Sequence, residues 1–418
     1  MNKNMKTPLT KKFFINLSYL GVLQGFNIIL PLVSYPYLIK TLGNETYGLI
    51  VFVQSIVGFL VLFVGFGLGL YGSIEVSRNR ENKDKLGEIL SSIYLIKILL
   101  IVISFLILFI FVELSSDYRE IRMLFYLSMW MCFYDAFFPG WYFQGIENMK
   151  WITIISVLTR SIFTVSIFYI IEESTDYLLY PLANGVAALV SILVSFYLIH
   201  KRHKVPLMWV SSSVIISTVK KSSKIFAANI ATTASVSLSK VFVGNSFGYA
   251  DLALYDLGEK ILNIFRTPQN ILSQVILPRV SESNSVQEAL FFRKRLLYFS
   301  VILTVFSLLM MEEIVNFLAG DQMMSGINLI MLFMLYLPFS SLHGFYGVLF
   351  LIPFGDAGDL ARVNLMVGIL TVATLTVLYV SGSALIYFIL AGLLLEALSV
   401  ILLHRKSIPI INASYETE

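Results

Sequence analysis

Charge is scarce in this chain: Asp, Glu, Lys and Arg make up 13% of its residues, where a soluble domain carries about 25%. With 57% of its 418 residues hydrophobic, too little polar surface remains to cover a water-facing globule. A single cysteine, Cys132, excludes an intramolecular disulfide, and no cluster of cysteines and histidines suggests a metal. There is no G-x-x-x-x-G-K-[ST] stretch, so nothing points to a P-loop ATPase as the source of power. No cofactor is implied. Short strands of alternating polarity, the pattern of a membrane barrel, are missing as well.

What is present is a series of apolar runs of about 20 to 25 residues, each long enough to cross the roughly 30 Å hydrocarbon layer as a helix. The reading is an all-α integral membrane protein with 12 transmembrane helices. The first six are expected near residues 12–38, 47–73, 87–112, 121–141, 149–171 and 177–199. The second six are expected near 217–245, 252–277, 292–318, 325–350, 361–380 and 383–403. The loops alternate in charge. "SRNRENKDK", "HKRHK" with "KKSSK", "FRKR" and "HRK" are basic, whereas "EESTD", "GYAD" and "EEIVNFLAGD" are acidic or nearly neutral. The positive-inside rule then places both termini and the basic loops in the cytoplasm. The net charge of +4 reflects this bias rather than nucleic-acid binding. The basic N-terminal stretch has no small-residue cleavage site after its apolar run, so the first helix is expected to stay.

The stretch "HKRHKVPLMWVSSSVIISTVKKSSK" divides the chain into an N-terminal six-helix lobe, 1–205, and a C-terminal one, 206–418. At an offset of 205, Gln24 falls on Asn229, Ser34 on Ser239 and Gly43 on Gly248. Two parallel repeats imply a pseudo-twofold axis along the membrane normal and a central cavity between pseudo-symmetric lobes, as in transporters that rock about a midplane site.

Polar residues recur inside the spans at helical spacing. The eighth expected span carries Asp256, Lys260, Asn263, Thr267, Asn270 and Gln274, widened by Glu259 and Arg266. The seventh carries Asn229, Thr233, Ser237 and Lys240, the fifth Arg160, and the tenth Tyr336, Ser340 and His343. A charge in hydrocarbon costs at least about 2.5 kcal/mol, so such a face looks at protein or at a watery cavity. For Ser and Thr alone, interhelical hydrogen bonding is a sufficient account. The deep cations Arg160, Lys240 and Arg266 outnumber their apparent carboxylate partners, and they suit an anionic substrate, phosphate above all. Asp256, Glu259 and His343 either couple ions or balance those cations. Lys97, Asp135 and Glu396 lie nearer the span ends and are read as snorkelling. Pro31, Pro36, Pro268 and Pro338 predict bends.

Two motifs are set aside. "GLGLYG", Gly67 to Gly72, matches a dinucleotide pattern but ends a membrane span instead of joining a strand to a helix, so it reads as helix packing, with Gly65 and Gly69 as a close-approach pair. "FPGWYFQGIENMKW", Phe138 to Trp151, reads as an interfacial elbow whose Trp141, Tyr142 and Trp151 suit the headgroup level.

Three segments, "PLVSYPYLIKTLGNETYGLIVFVQS", "FGLGLYGSIEVSRNRENKDKL" and "PGWYFQGIENMKW", together with "LPRVSE", carry a family likeness. Along its whole length the chain resembles the polysaccharide (O-antigen) flippases called Wzx, of the multidrug, oligosaccharidyl-lipid and polysaccharide exporter superfamily. The resemblance implies a MATE-like fold, no enzymatic activity, and residence in the bacterial inner membrane. It implies transfer of an undecaprenyl-diphosphate-linked oligosaccharide from the cytoplasmic to the periplasmic leaflet by alternating access, beside membrane lipid and with a polysaccharide polymerase and chain-length regulator as partners. On that footing Arg160, Lys240 and Arg266 are expected at the diphosphate, and Asn229, Asn263, Asn270 and Gln274 at sugar hydroxyls. A cation-coupled drug exporter of the same fold is the alternative, disfavoured by the deep bases. A membrane polymerase would be expected to show a sizeable periplasmic loop, and none occurs.

Overall fold

The computed structural model describes residues 11–283 and 285–416, with all their side chains except those of 11–17, 228, 229, 231–233, 278, 357, 415 and 416. No strand occurs among the described residues. The first half contains α1 (Lys11–Gly65), α2 (Leu68–Arg78), α3 (Lys83–Leu114), α4 (Arg122–Ser128), α5 (Trp130–Phe137), α6 (Gly140–Gly145), α7 (Met149–Ile170) and α8 (Leu179–Tyr197). Next come α9 (Ser212–Phe247), α10 (Tyr249–Ser283), α11 (Val286–Leu309), α12 (Met311–Ala319) and α13 (Ile327–Met334). The chain closes with α14 (Tyr336–Gly344), α15 (Ile352–Phe354), α16 (Ala357–Val380) and α17 (Leu385–Glu416).

Every expected span falls on helix, yet length and apolarity alone single out seven stretches among the described residues. The first, Ser18–Arg78, is 61 residues long, about 90 Å at helical rise, and so holds more than one crossing. α10 is not among the seven because its own polar stripe lowers its hydropathy, and α4 with α5 because together they are too short, ending at Phe137 after starting at Arg122. The count of twelve therefore does not follow from apolar length.

The break inside α1 is at Gly43, φ 77° and ψ 162°, and not at Pro31 or Pro36. Gly248, between α9 and α10, has φ 89°. These two positions are the pair matched by the 205-residue offset, and both have a backbone that an L side chain adopts only with strain. Ser34 and Ser239, another matched pair, are both buried and both return their hydroxyls to a carbonyl of their own helix.

Packing divides the chain into two units. One consists of the chain up to Ser34 with Leu60–Phe226; the other consists of Tyr35–Phe59 with Ala227 onward. A segment from before residue 205 thus packs with the helices after it. In the first unit α6 lies against α2. A Cβ on Gly72 would come within 2.5 Å of the Trp141 ring, and one on Gly145 within 2.6 Å of Val76, so glycine at both positions lets the helices touch. Gly67 closes in likewise on the backbone of α9, whereas Gly69 has open space around it. The close approaches of "GLGLYG" are therefore at Gly67 and Gly72, not at the Gly65–Gly69 pair.

The elbow itself corrects the belt expectation. Trp141, Tyr142 and Phe143 are buried, Tyr142 to 1% exposure. Arg80 clamps the elbow from α2's end, donating from Nε to the Gly145 carbonyl at 2.8 Å and pairing with Glu147 at 2.7 Å. In the second unit Gly48 is pressed against the Tyr249 carbonyl, where a Cβ would stand 1.8 Å from the oxygen. Phe345, Phe350 and Leu403 head an apolar core built on α10, α11, the segment Phe345–Leu351 that follows α14, α16 and α17.

Candidate functional site

Within the second unit α9 and α10 bring four charges together. Lys240 Nζ lies 2.7 Å from Asp256 Oδ1 and 3.0 Å from Glu259 Oε2. Lys260, one turn along α10, donates to the other Asp256 oxygen and to the Tyr47 hydroxyl. Tyr47 also donates to Asp256, at 3.3 Å, and the Lys260 ammonium stands 4.9 Å from the ring centres of both Tyr35 and Tyr47. Two cations thus meet two carboxylates, and aromatic faces shelter one cation. Of the expected site residues, Lys240, Asp256 and Glu259 fall in this one cluster, in a charge-balancing geometry.

A second cluster lies further along α10. Arg266 Nε donates to Ser340 Oγ at 2.9 Å, Ser340 donates to Glu396 at 3.0 Å, and the guanidinium stands 3.6 Å from the same carboxylate. His343, one turn beyond on α14, hydrogen-bonds Ser399 of α17. The expected surplus of deep bases thus shrinks: Glu396, read from its position as snorkelling, is the counter-charge of Arg266. The side chains of Asn263, Asn270 and Gln274 lie exposed on one face of α10, without a hydrogen bond among the described residues. The Asn229 side chain lies outside the described residues.

Arg160 differs from the other two bases. It has no ion pair among the described residues and lines a cavity of about 460 Å³ within the first unit, with Trp130, Tyr134, Ser156, Phe163 and Asn184. A smaller cavity of about 280 Å³, lined by Gly65, Gly69, Lys97 and Gln144, shares Tyr134 and Asp135 with it. Lys97, 2% exposed, is no snorkelling residue: it pairs with Asp135 Oδ2 at 2.8 Å and with the Asp135 carbonyl at 2.6 Å.

Sequence periodicity found the stripe on α10 but missed Tyr35, Tyr47, Trp130 and Asn184. An aromatic in a membrane helix looks like core, and nothing in its spacing reveals a cation or a cavity beside it. Among the described residues no group of three or more Asp, Glu, His or Cys could hold a metal.

The fold is that of the MATE transporters. A solved structure described as an inward-facing multidrug resistance MATE family transporter of the MOP superfamily superposes with a TM-score of 0.70 at 13% identity, over 96% of this chain and 99% of that one. A MOP superfamily transporter from Pyrococcus furiosus, described by the reverse polarity of its binding pocket, gives 0.60 at 12% identity, over 99% and 100%. The family model for "Polysaccharide biosynthesis protein" matches residues 13–284, and the chain belongs to that family. A protein of Escherichia coli (strain K12) named "Putative O-antigen transporter" is 24% identical over 85% of this chain and 87% of its own. A protein of the same name from Shigella dysenteriae is 21% identical over 64% and 67%. The chain is a multi-pass helical membrane protein of that family, with the MATE fold.

Proposed function

We propose that this protein carries undecaprenyl-diphosphate-linked O-antigen repeat units from the cytoplasmic to the periplasmic leaflet of a bacterial inner membrane, by alternating access and with both termini in the cytoplasm. A head group of sugars and diphosphate cannot cross hydrocarbon unaided, while its lipid tail stays in the bilayer. The transporter's work is to offer the head group charge and hydrogen bonds along the way.

The observation that carries this reading is Arg160 in its cavity, without an ion pair among the described residues. An uncompensated cation at membrane depth is expensive unless water or an anion attends it, and a guanidinium suits phosphate in bidentate geometry. Lys240 and Arg266 are each matched by carboxylates, so they act on the diphosphate only by sharing it with Asp256, Glu259 or Glu396. In this arrangement the acids, with His343, balance charge or exchange it for a coupling ion. Asn263, Asn270 and Gln274, with Asn229, would exchange water for sugar hydroxyls, a reading that the exposed face of α10 supports for the first three. A chamber whose cation has no ion pair among the described residues, and whose one lining carboxylate there, Asp135, is taken by Lys97, disfavours the export of cationic drugs. The polymerase and chain-length regulator would act on the delivered repeat unit.

The test is a deletion strain complemented with variants, scored by the leaflet on which lipid-linked repeat units accumulate. Complete loss of the protein is expected to strand them on the cytoplasmic side, and Arg160→Glu to do the same with the folded protein still in the membrane. Full export by Arg160→Glu would remove this model, and periplasmic accumulation of unpolymerised units in the deletion strain would point to a polymerase instead.

A further inference from the structure

The chamber around Arg160 has a second kind of wall. Trp130, Tyr134 and Phe163 line it together with the guanidinium and the Asn184 carboxamide. These rings are held from behind. Tyr134 stacks on Phe138 with ring centres 5.0 Å apart and planes at 12°, and Phe163 meets Tyr180 edge-on at 5.3 Å. The Trp130 indole is seated against α8 at Gly185, where a Cβ would approach its nitrogen to 2.4 Å. Asn184 spends one amide hydrogen on the Tyr180 carbonyl at 3.4 Å, and its carboxamide oxygen has no partner among the described residues.

A cavity built only to hydrate a cation has no use for fixed aromatic faces. A pyranose ring has an apolar C–H face that packs on such rings and an equatorial rim of hydroxyls that needs a carboxamide or hydroxyl partner. At about 460 Å³ the chamber falls in the size range of small-molecule sites, room for one sugar with an anionic substituent and not for a whole repeat unit.

We propose that the first unit holds a sugar subsite: one pyranose ring stacks on Trp130 and Tyr134, hydrogen-bonds Asn184, and places an anionic group on Arg160. The proposal rests on the reading of the substrate as a lipid-linked glycan and says which part of it the chamber takes. The anion has two sources, a phosphate at the anomeric carbon or a carboxylate on the ring.

Equilibrium binding to the purified full-length protein in lipid nanodiscs tests it without transport, with glucose 1-phosphate, glucuronate, glucose and inorganic phosphate as probes. Saturable binding of glucose 1-phosphate or of glucuronate, at least tenfold tighter than glucose and than inorganic phosphate, is expected, and whichever acid binds more tightly identifies the source of the anion. Arg160→Gln is expected to weaken both acids at least tenfold. Trp130→Ala should weaken them as much while leaving inorganic phosphate unchanged, and Trp130→Phe, which keeps a flat face, should stay within threefold of the parent. Gly185→Ala, which pushes the indole out of place, should behave like Trp130→Ala. Equal affinity for glucose 1-phosphate and inorganic phosphate, or unaltered binding in Trp130→Ala, overturns the subsite; so does the absence of saturable binding by any probe. Binding as expected with no flipping in reconstituted vesicles would sink the transport reading and leave the subsite. Flipping without any probe binding would do the reverse.

Discussion

At the scale of residues the decisive contrast is between Lys240, Lys260 and Arg266, which carboxylates meet, and Arg160, which has no ion pair among the described residues. Asp256 sits between two ammonium groups, and it is the member whose loss leaves the most charge uncovered. Lys240 keeps its ion pair with Glu259 when Asp256 is removed, whereas among the described residues Lys260 keeps no ion pair, with a tyrosine hydroxyl and two ring faces beside it. Breaking a buried pair on one side costs about 3 to 5 kcal/mol. Lys260 is 35% exposed, so we expect Asp256→Ala to lie toward the lower end, about 3 kcal/mol, in unfolding of the detergent-solubilised protein. Adding Lys260→Met should recover part of that loss, because the uncovered charge goes with it. Equal stability of the single and double variants would mean that the cluster is not held by charge balance.

At the scale of elements the elbow α6 is a fastening of the first unit. Gly72→Ala sets a methyl into the Trp141 ring, and overpacking of this kind costs about 1 to 3 kcal/mol. Trp141→Phe in the same chain should relieve part of it, as read by thermal unfolding. The elbow also carries a pH response. The Tyr142 hydroxyl, pushed up to about 12 by burial, stays protonated and lies 3.0 Å from Nδ1 of His203, just beyond α8. Burial first, then the positive charges of Arg202 and Lys83, hold His203 below its ordinary value near 6.5. The folded protein therefore binds this proton less readily than the unfolded chain does. Its contribution to stability is complete above about 6.5 and is lost as pH falls through that value toward the folded one. Hydrogen exchange of residues 139–148 should quicken between about pH 6.5 and 5 in the parent, and His203→Asn should remove that slope. An identical slope in both would assign the response elsewhere.

At the scale of the whole molecule the proposal fixes which loops face the cytoplasm. Cys132 is fully buried, so a Cys132→Ser background offers no native thiol to a membrane-impermeant reagent. In that background Glu81→Cys, in a basic loop, should be labelled only after the inner membrane is permeabilised. Thr175→Cys and Ser381→Cys should be labelled in spheroplasts with the membrane intact. The reverse pattern would invert the topology and with it the direction of transport. The long stretch Ser18–Arg78 holds more than one crossing, so these loop positions also bear on the number of spans.

Helicity, membrane residence and the polar face of α10 were legible because each depends on neighbours three and four residues apart, and that spacing is written directly in the chain. Composition fixed the solvent; the 205-residue offset marked Gly43 and Gly248, which share a positive-φ break. Segments between the apolar runs carried the family likeness. The partners of the charges were not legible. Lys240 meets Asp256, Arg266 meets Glu396 and Lys97 meets Asp135 only once separate helices pack, and nothing local distinguishes such a carboxylate from one that snorkels to the surface. For the same reason nothing in the order of residues marks Trp130 and Tyr134 as the walls of a cavity. The sequence determined that cations stand at membrane depth, since that follows from residue type and span length. Only the tertiary structure decided that Arg160 is the one of the three deep bases left without a counter-charge among the described residues, because charge balance is a property of distance in space and not of order along the chain.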